Sequence, residues 1–168
     1  DDFGISLYTN KAIMELFAAG KITSTSLLAN GEYGDDAMKT ARDNSFKVGV
    51  HLTINSDFDK RPWRSLSASS SLSDADGNLL SDTKLLAQRA ISREVTAECV
   101  AQIEKVIASG VKVDHLDNHC GTMYGINGRL FFFNAFRLAA RYKLPFRFPK
   151  QNGFLASNFN KGIPRAVK

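Results

Sequence analysis

Residues 91–119, ISREVTAECVAQIEKVIASGVKVDHLDNH, run directly from a helix into a strand. Val95, Cys99, Ile103, Val106 and Ile107 share one helical stripe, with Ser92 placed to cap the start and Gly110 to close the end. Val111 to His119 then reads as strand. Upstream, VGVHLTI at 48–54 is nearly continuous in apolar residues, the pattern of a strand buried on both faces. Helical spacing recurs at 10–19 (Ala12, Ile13, Leu16 and Phe17, with Gly20 as C-cap), at 35–43 behind Asp35 as N-cap, and at 130–142. Residues 22–29, rich in β-branched side chains, and 145–148 read as further strands. Strands separated by helices of this length are parallel βαβ units with right-handed crossovers. The class is α/β, as a barrel or as an open doubly wound sheet. No G-x-G-x-x-G follows a strand, so a dinucleotide fold has no support.

Residues 55–83 interrupt the alternation. Pro62, the serines within 65–73 and the turn Ala75-Asp76-Gly77-Asn78 predict a long loop with one hairpin, the kind that carries function or an interface. The chain of 168 residues, 43% hydrophobic and 23% charged, fits a single globular domain over 1–168. It has no apolar run long enough for a membrane helix. Two cysteines, Cys99 and Cys120, make no disulfide framework and favour a reducing, cytoplasmic setting. The net charge of +5 is uneven: residues 1–128 hold 13 basic against 17 acidic side chains, and 129–168 hold 9 basic and none acidic. Such a block could bind a polyanion, but Arg137, Arg141, Lys143, Arg147 and Lys150 also fit a solvated helix face and its following strand.

Polar residues stand where apolar ones are expected at three places. Asp1-Asp2 precede Phe3-Gly4 as if leaving a strand, His51 lies inside an apolar strand, and His115, Asp117 and His119 alternate along another and so share a face. Ligand sites of parallel α/β folds gather at the C-terminal ends of strands. Three such ends could bring two imidazoles and a carboxylate together, a first shell for a divalent metal with positions left for water and substrate. Rival motifs are weaker. Asp2-Phe3-Gly4 lacks the other kinase signatures, Ser24 and Ser26 lack a nucleophile elbow, and Cys120 beside His119 reads as a packed or supporting thiol.

Asp1-Asp2-Phe3-Gly4, Ile22-Thr23-Ser24-Thr25-Ser26-Leu27, Asn30-Gly31, Val48-Gly49-Val50-His51-Leu52 and His115-Leu116-Asp117-Asn118-His119 occur in that order. Together with Pro62-Trp63-Arg64 and Asp74-Ala75-Asp76-Gly77 they resemble the YdjC-like carbohydrate deacetylases, which include chitooligosaccharide deacetylases, over nearly all of 1–150. The resemblance implies a TIM-like (β/α) barrel of the polysaccharide-deacetylase type. It also implies a triad of Asp2, His51 and His119 on a divalent ion, Mg2+ or Zn2+, with Asp1 as general base. Two departures stand out: Asn118 replaces the more usual Ser, and Cys120-Gly121-Thr122-Met123-Tyr124 follows His119 where many members have further histidines. The same resemblance leads one to expect a strand before Asp1 and more elements after about residue 150, hence a barrel incomplete at both ends in this chain.

The chemistry so implied is hydrolysis of an N-acetyl group on an amino sugar or oligosaccharide. Asp1 would take the proton from a metal-activated water. His115, on the face of His119, is one candidate to protonate the leaving amine, and its alternative is a hydrogen-bonded strand histidine. Trp63, Tyr124 and Phe131 are candidates to stack on sugar rings, against the plainer reading of Phe131-Phe132-Phe133 as helix core. The expected partner is an N-acetylated sugar, with neither nucleic acid nor membrane. A homodimer would place the 55–83 loop at its interface. Two alternatives are a polyanion- or nucleic-acid-binding module built on 129–168 and a metal phosphoesterase on the same barrel, for which three histidines are few.

Overall fold

The computed structural model describes residues 1–57, 61–125 and 129–149. Helices alternate with short parallel strands: α1 (Leu7–Ala18), β1 (Ser26–Leu27), α2 (Gly34–Asp43), β2 (Lys47–Leu52), α3 (Thr83–Arg89), α4 (Ser92–Ala108), β3 (Lys112–Asn118) and α5 (Phe132–Tyr142), with a 3-10 turn at His119–Gly121. The strands form one parallel sheet in the order β1-β2-β3. Phe3 extends it beside β1 through a parallel bridge to Leu27, and Phe146 extends it beside β3 through a parallel bridge to Leu116. Five parallel segments thus lie side by side in chain order. The class expected from the alternation is the one observed, and among the described residues the sheet is open. None of their helices is long and apolar enough to cross a membrane.

Burial explains the order. Leu27, Val48, Val50, Leu52 and Leu116 are fully buried, and Val95, Cys99, Ile103 and Val106 of α4 are fully buried as well. Ile107, expected on the same stripe, is 42% exposed; Glu98 and Gln102 are buried instead. Their polar edge holds the 55–83 loop. The Glu98 carboxylate accepts from the backbone N–H of Leu66 and Ser67 and from the hydroxyls of Ser65 and Ser67, and Gln102 bonds both ways with the backbone of Thr53. The expected hairpin is present at the antiparallel bridge Ser73–Leu79, and Arg64 bridges to Asn78 from the start of the loop.

Several element boundaries differ from those expected. The strand read over 22–29 pairs only at Ser26–Leu27, and that over 145–148 only at Phe146. Helix α3 lies outside every helical stretch that the spacing predicts; Asp82 starts it by accepting from the N–H of Lys84 and Leu85 at 2.8 and 3.1 Å. Asp35 lies inside the first turn of α2, after Tyr33 at the cap, and Ser92 lies inside α4, after Ile91. Ser6 caps α1 by accepting from Thr9 N–H at 3.0 Å, so that helix begins before residue 10.

Candidate metal centre

Asp2 owes its position to a tight turn. Phe3 N–H donates to Ser26 O at 3.1 Å, Leu28 N–H donates to Phe3 O at 2.9 Å, and Ile5 N–H closes back on Asp2 O at 3.1 Å. Asp2 itself has φ +64, a left-handed conformation that Asp tolerates better than most residues. His51 projects from β2 directly opposite Asp117 of β3. His119 stands in the turn that follows β3, where Thr122 N–H donates to its carbonyl at 3.1 Å.

Asp2 Oδ1 lies 3.3 Å from His51 Nε2 and 3.1 Å from His119 Nδ1. The two rings meet edge to face, 5.3 Å between centroids, and Trp63 packs against His119 at the same separation. The structure therefore brings together the three residues expected as ligands, one offering an oxygen and two offering ring nitrogens. His51 Nδ1 donates to Asp117 Oδ1 at 2.7 Å, and Asp117 is fully buried. A carboxylate that fixes one ring nitrogen turns the other outward as a lone pair, the usual support behind a metal-bound histidine. Two lone pairs and an ionised carboxylate oxygen facing one another require a positive charge among them, either protons on the rings or a cation. The donor set of one carboxylate and two imidazoles fits a divalent ion with open positions.

Without an ion, the three groups shift one another's titration. The hydrogen bond from His119, followed by that from His51, holds the Asp2 carboxyl well below the usual carboxylate range. Burial works against a charged His119, but its bonds to Asp2, Cys120 and Asp57 outweigh burial and push the ring up to about 10. For His51, burial is again overcome, by Asp117 and Asp2, and its pKa is raised.

Asp1 sits on the other side of His51. Its Oδ1 accepts from Ser26 Oγ at 3.0 Å, and the same hydroxyl lies 3.1 Å from His51 Nδ1. Its Oδ2 accepts from Arg147 Nη2 at 2.6 Å, and that nitrogen also pairs with Asp117 Oδ2 at 2.7 Å. His115 is not brought to this cluster. Its Nδ1 pairs with Asp114 Oδ1 at 2.6 Å, and its ring rests on Gly49, which leaves no room there for a Cβ. A strand rises about 3.3 Å per residue, so position 115 lies roughly 13 Å behind position 119.

Four residues of the cluster carried no assigned role in the sequence. Asp117 was visible as a polar strand residue, but its pairing with His51 depends on a register that no single strand encodes. Ser26 belongs to the quoted Ser/Thr strand. Arg147 looked like one more charge of a solvated block. Asp57, whose Oδ1 lies 2.8 Å from His119 Nε2, follows β2 closely, where the rule for strand ends would have found it. Cys120, expected as a packed or supporting thiol, is exposed. Trp63 and Phe131 are buried, whereas Tyr124 packs edge-on against Phe146 and Phe148. A cavity of about 440 Å³ lies alongside Trp63 and is also lined by Asn30, Arg61, Arg64 and Lys105.

The family model described as "YdjC-like protein" matches residues 1–167. A carbohydrate deacetylase of Clostridium beijerinckii is 36% identical over 121 residues, which are 71% of this chain and 46% of that protein. A carbohydrate deacetylase of Enterococcus faecalis is 32% identical over 149 residues, 88% of this chain and 55% of that protein. The chain thus spans about half the length of the curated relatives it matches. Among solved structures, a protein of Enterococcus faecalis provisionally described as a cellobiose-phosphate cleavage protein superposes with a TM-score of 0.77 at 28% identity, over 94% of this chain and 60% of that one.

Proposed function

Because the chain belongs to the YdjC-like family, whose model spans residues 1–167, we propose that it is the site-bearing part of a metal-dependent carbohydrate deacetylase that releases acetate from an N-acetylated amino sugar or chitooligosaccharide. The observation that carries this reading is the convergence of Asp2 Oδ1, His51 Nε2 and His119 Nδ1, backed by the buried Asp117. Asp2, His51 and His119 would hold a divalent ion of the Mg2+ or Zn2+ class, which when bound supplies Lewis acidity to the acetyl carbonyl and to water. Asp1 is the general base in this proposal. Ser26 Oγ and Arg147 Nη2 both donate to its carboxylate and fix it from two sides. Trp63 forms a wall shared by His119 and the 440 Å³ cavity, whose size suits a sugar.

The five parallel segments support reading the sheet as part of a TIM-like barrel within one domain over 1–168. Each new segment joins beside the previous one, with no reversal of order of the kind that marks a doubly wound sheet. Arg147 pairs with Asp1 and Asp117, so at least this member of the basic block serves the site rather than a polyanion surface.

Acetate release from an N-acetylated chitooligosaccharide, measured before and after chelation and on return of Mg2+ or Zn2+, tests the proposal in the whole protein. We expect activity to follow the metal, and Asp2→Asn to lose both. Full activity in chelator, or in folded Asp2→Asn, would refute it.

A further inference from the structure

His119 presents its two nitrogens to two different sets of side chains. Nδ1 faces Asp2, while Nε2 faces Asp57 Oδ1 at 2.8 Å and Cys120 Sγ at 3.2 Å, with 3.6 Å between the sulfur and that oxygen. We propose that Asp57, His119 and Cys120 form a second cation site, selective for a thiophilic divalent ion of the zinc class, joined to the Asp2–His51 seat by the one shared imidazole ring. Zinc–ligand lengths of about 2.0–2.3 Å at tetrahedral angles put donor atoms roughly 3.3–3.6 Å apart. The three observed separations therefore need only sub-ångström adjustment to take an ion.

The donor types narrow the ion. Thiolate, imidazole and one carboxylate suit zinc-class ions, whereas Mg2+ takes oxygens in near-octahedral geometry. On binding, the thiol and the Nε2–H of His119 each release a proton to solvent, and the sulfur and that nitrogen each gain a bond to the metal. Packing does not account for where the thiol sits. Cys120 is exposed, and its backbone is left-handed at φ +51, a conformation that costs free energy in a non-glycine residue. A cavity of about 520 Å³, lined by Asn55, Ser56, Asp57, Asp82 and Cys120 among others, opens on the cluster and gives an ion its entry path and water for a fourth position. Because the outer seat uses the ring that the inner seat also uses, a thiophilic ion at the mouth competes with the inner one for His119.

Cobalt(II) titrated into the metal-stripped, reduced protein reads the sulfur directly, through thiolate-to-cobalt charge-transfer absorption. Cys99, the other thiol, is fully buried in the core and offers no such ligand. The band is expected in the wild type and in Asp2→Asn, and it should be absent in Cys120→Ser. Asp57→Asn should weaken cobalt binding at this site about tenfold or more. Alkylating the exposed thiol of the native wild type must abolish the band too, which covers a Cys120→Ser variant that fails to fold. Absence of the band at saturating cobalt, its survival after Cys120 is replaced or blocked, or its loss in folded Asp2→Asn would each overturn the second site. Acetate release plays no part in this readout, so the deacetylase proposal can fail without it.

Discussion

Asp1 and Asp2 are neighbours in sequence, yet they meet different nitrogens of His51. Asp2 faces Nε2, and Asp1 is tied to the Nδ1 side through Ser26. Their roles should separate on substitution. Asp1→Asn keeps the shape and the Ser26 contact but cannot accept a proton at neutral pH, so turnover should fall about a hundredfold or more with metal content unchanged. Near-normal turnover would remove Asp1 as base. The same cluster fixes a pH dependence in the metal-free protein. The ring of His119, raised from 6.5 to about 10, contributes stability that is complete below 6.5 and lost as pH rises through about 10. The lowered carboxyl of Asp2 contributes stability present above 3.8 and lost as pH falls toward its folded value. In chelator, the melting-temperature difference between wild type and His119→Gln should be largest between about pH 4 and 6.5 and fall above about pH 10 to the part set by ring packing. A difference that grows with pH would contradict the ion-paired reading.

Among the elements, the contact between the Asp1–Gly4 turn and the loop after β1 sets where those carboxylates stand. A Cβ on Gly31 would lie 2.5 Å from the carbonyl oxygen of Gly4, and one on Gly34 2.5 Å from that of Leu28, so backbone would have to move. Gly31→Ala should cost roughly 1–3 kcal/mol in a denaturant titration, as overpacking does, and should weaken metal binding because Gly4 follows Asp2 so closely. An Ala variant as stable as wild type would mean that the loop is free to shift. Helices were legible where spacing and burial agree, as for α4, because one apolar stripe suffices to orient them. The short strands were not bounded correctly, since β1 is defined by its partners on either side rather than by the β-branched residues that run ahead of it, Ile22, Thr23 and Thr25. Glu98 shows the converse limit. A buried carboxylate facing a serine-rich loop has no apolar signature, so the helix that clamps the loop looks in sequence like one with a solvated polar edge.

Across the whole molecule, protection should follow position in the sheet. β2 and β3 are paired on both sides, and Val50, Leu52 and Leu116 within them are fully buried, so the amides of these three should be the last to exchange with deuterium, and those of α1, at the flank, among the first. Slow exchange confined to the helices would place the stable centre elsewhere. The class and the convergence of Asp2, His51 and His119 were readable because parallel strands send their ends to one side. The roles of Asp117 and Arg147 were not, because each depends on which strands become neighbours. The Arg147–Asp1 pair spans 146 positions of chain. At a synthesis rate of about 5–20 residues per second, the guanidinium leaves the ribosome roughly 7–30 s after the carboxylate it will hold. For that interval the nascent chain carries the pair of aspartates without the arginine, so the Asp1–Arg147 pair is among the last contacts to form during translation, well after the first βα units can have packed.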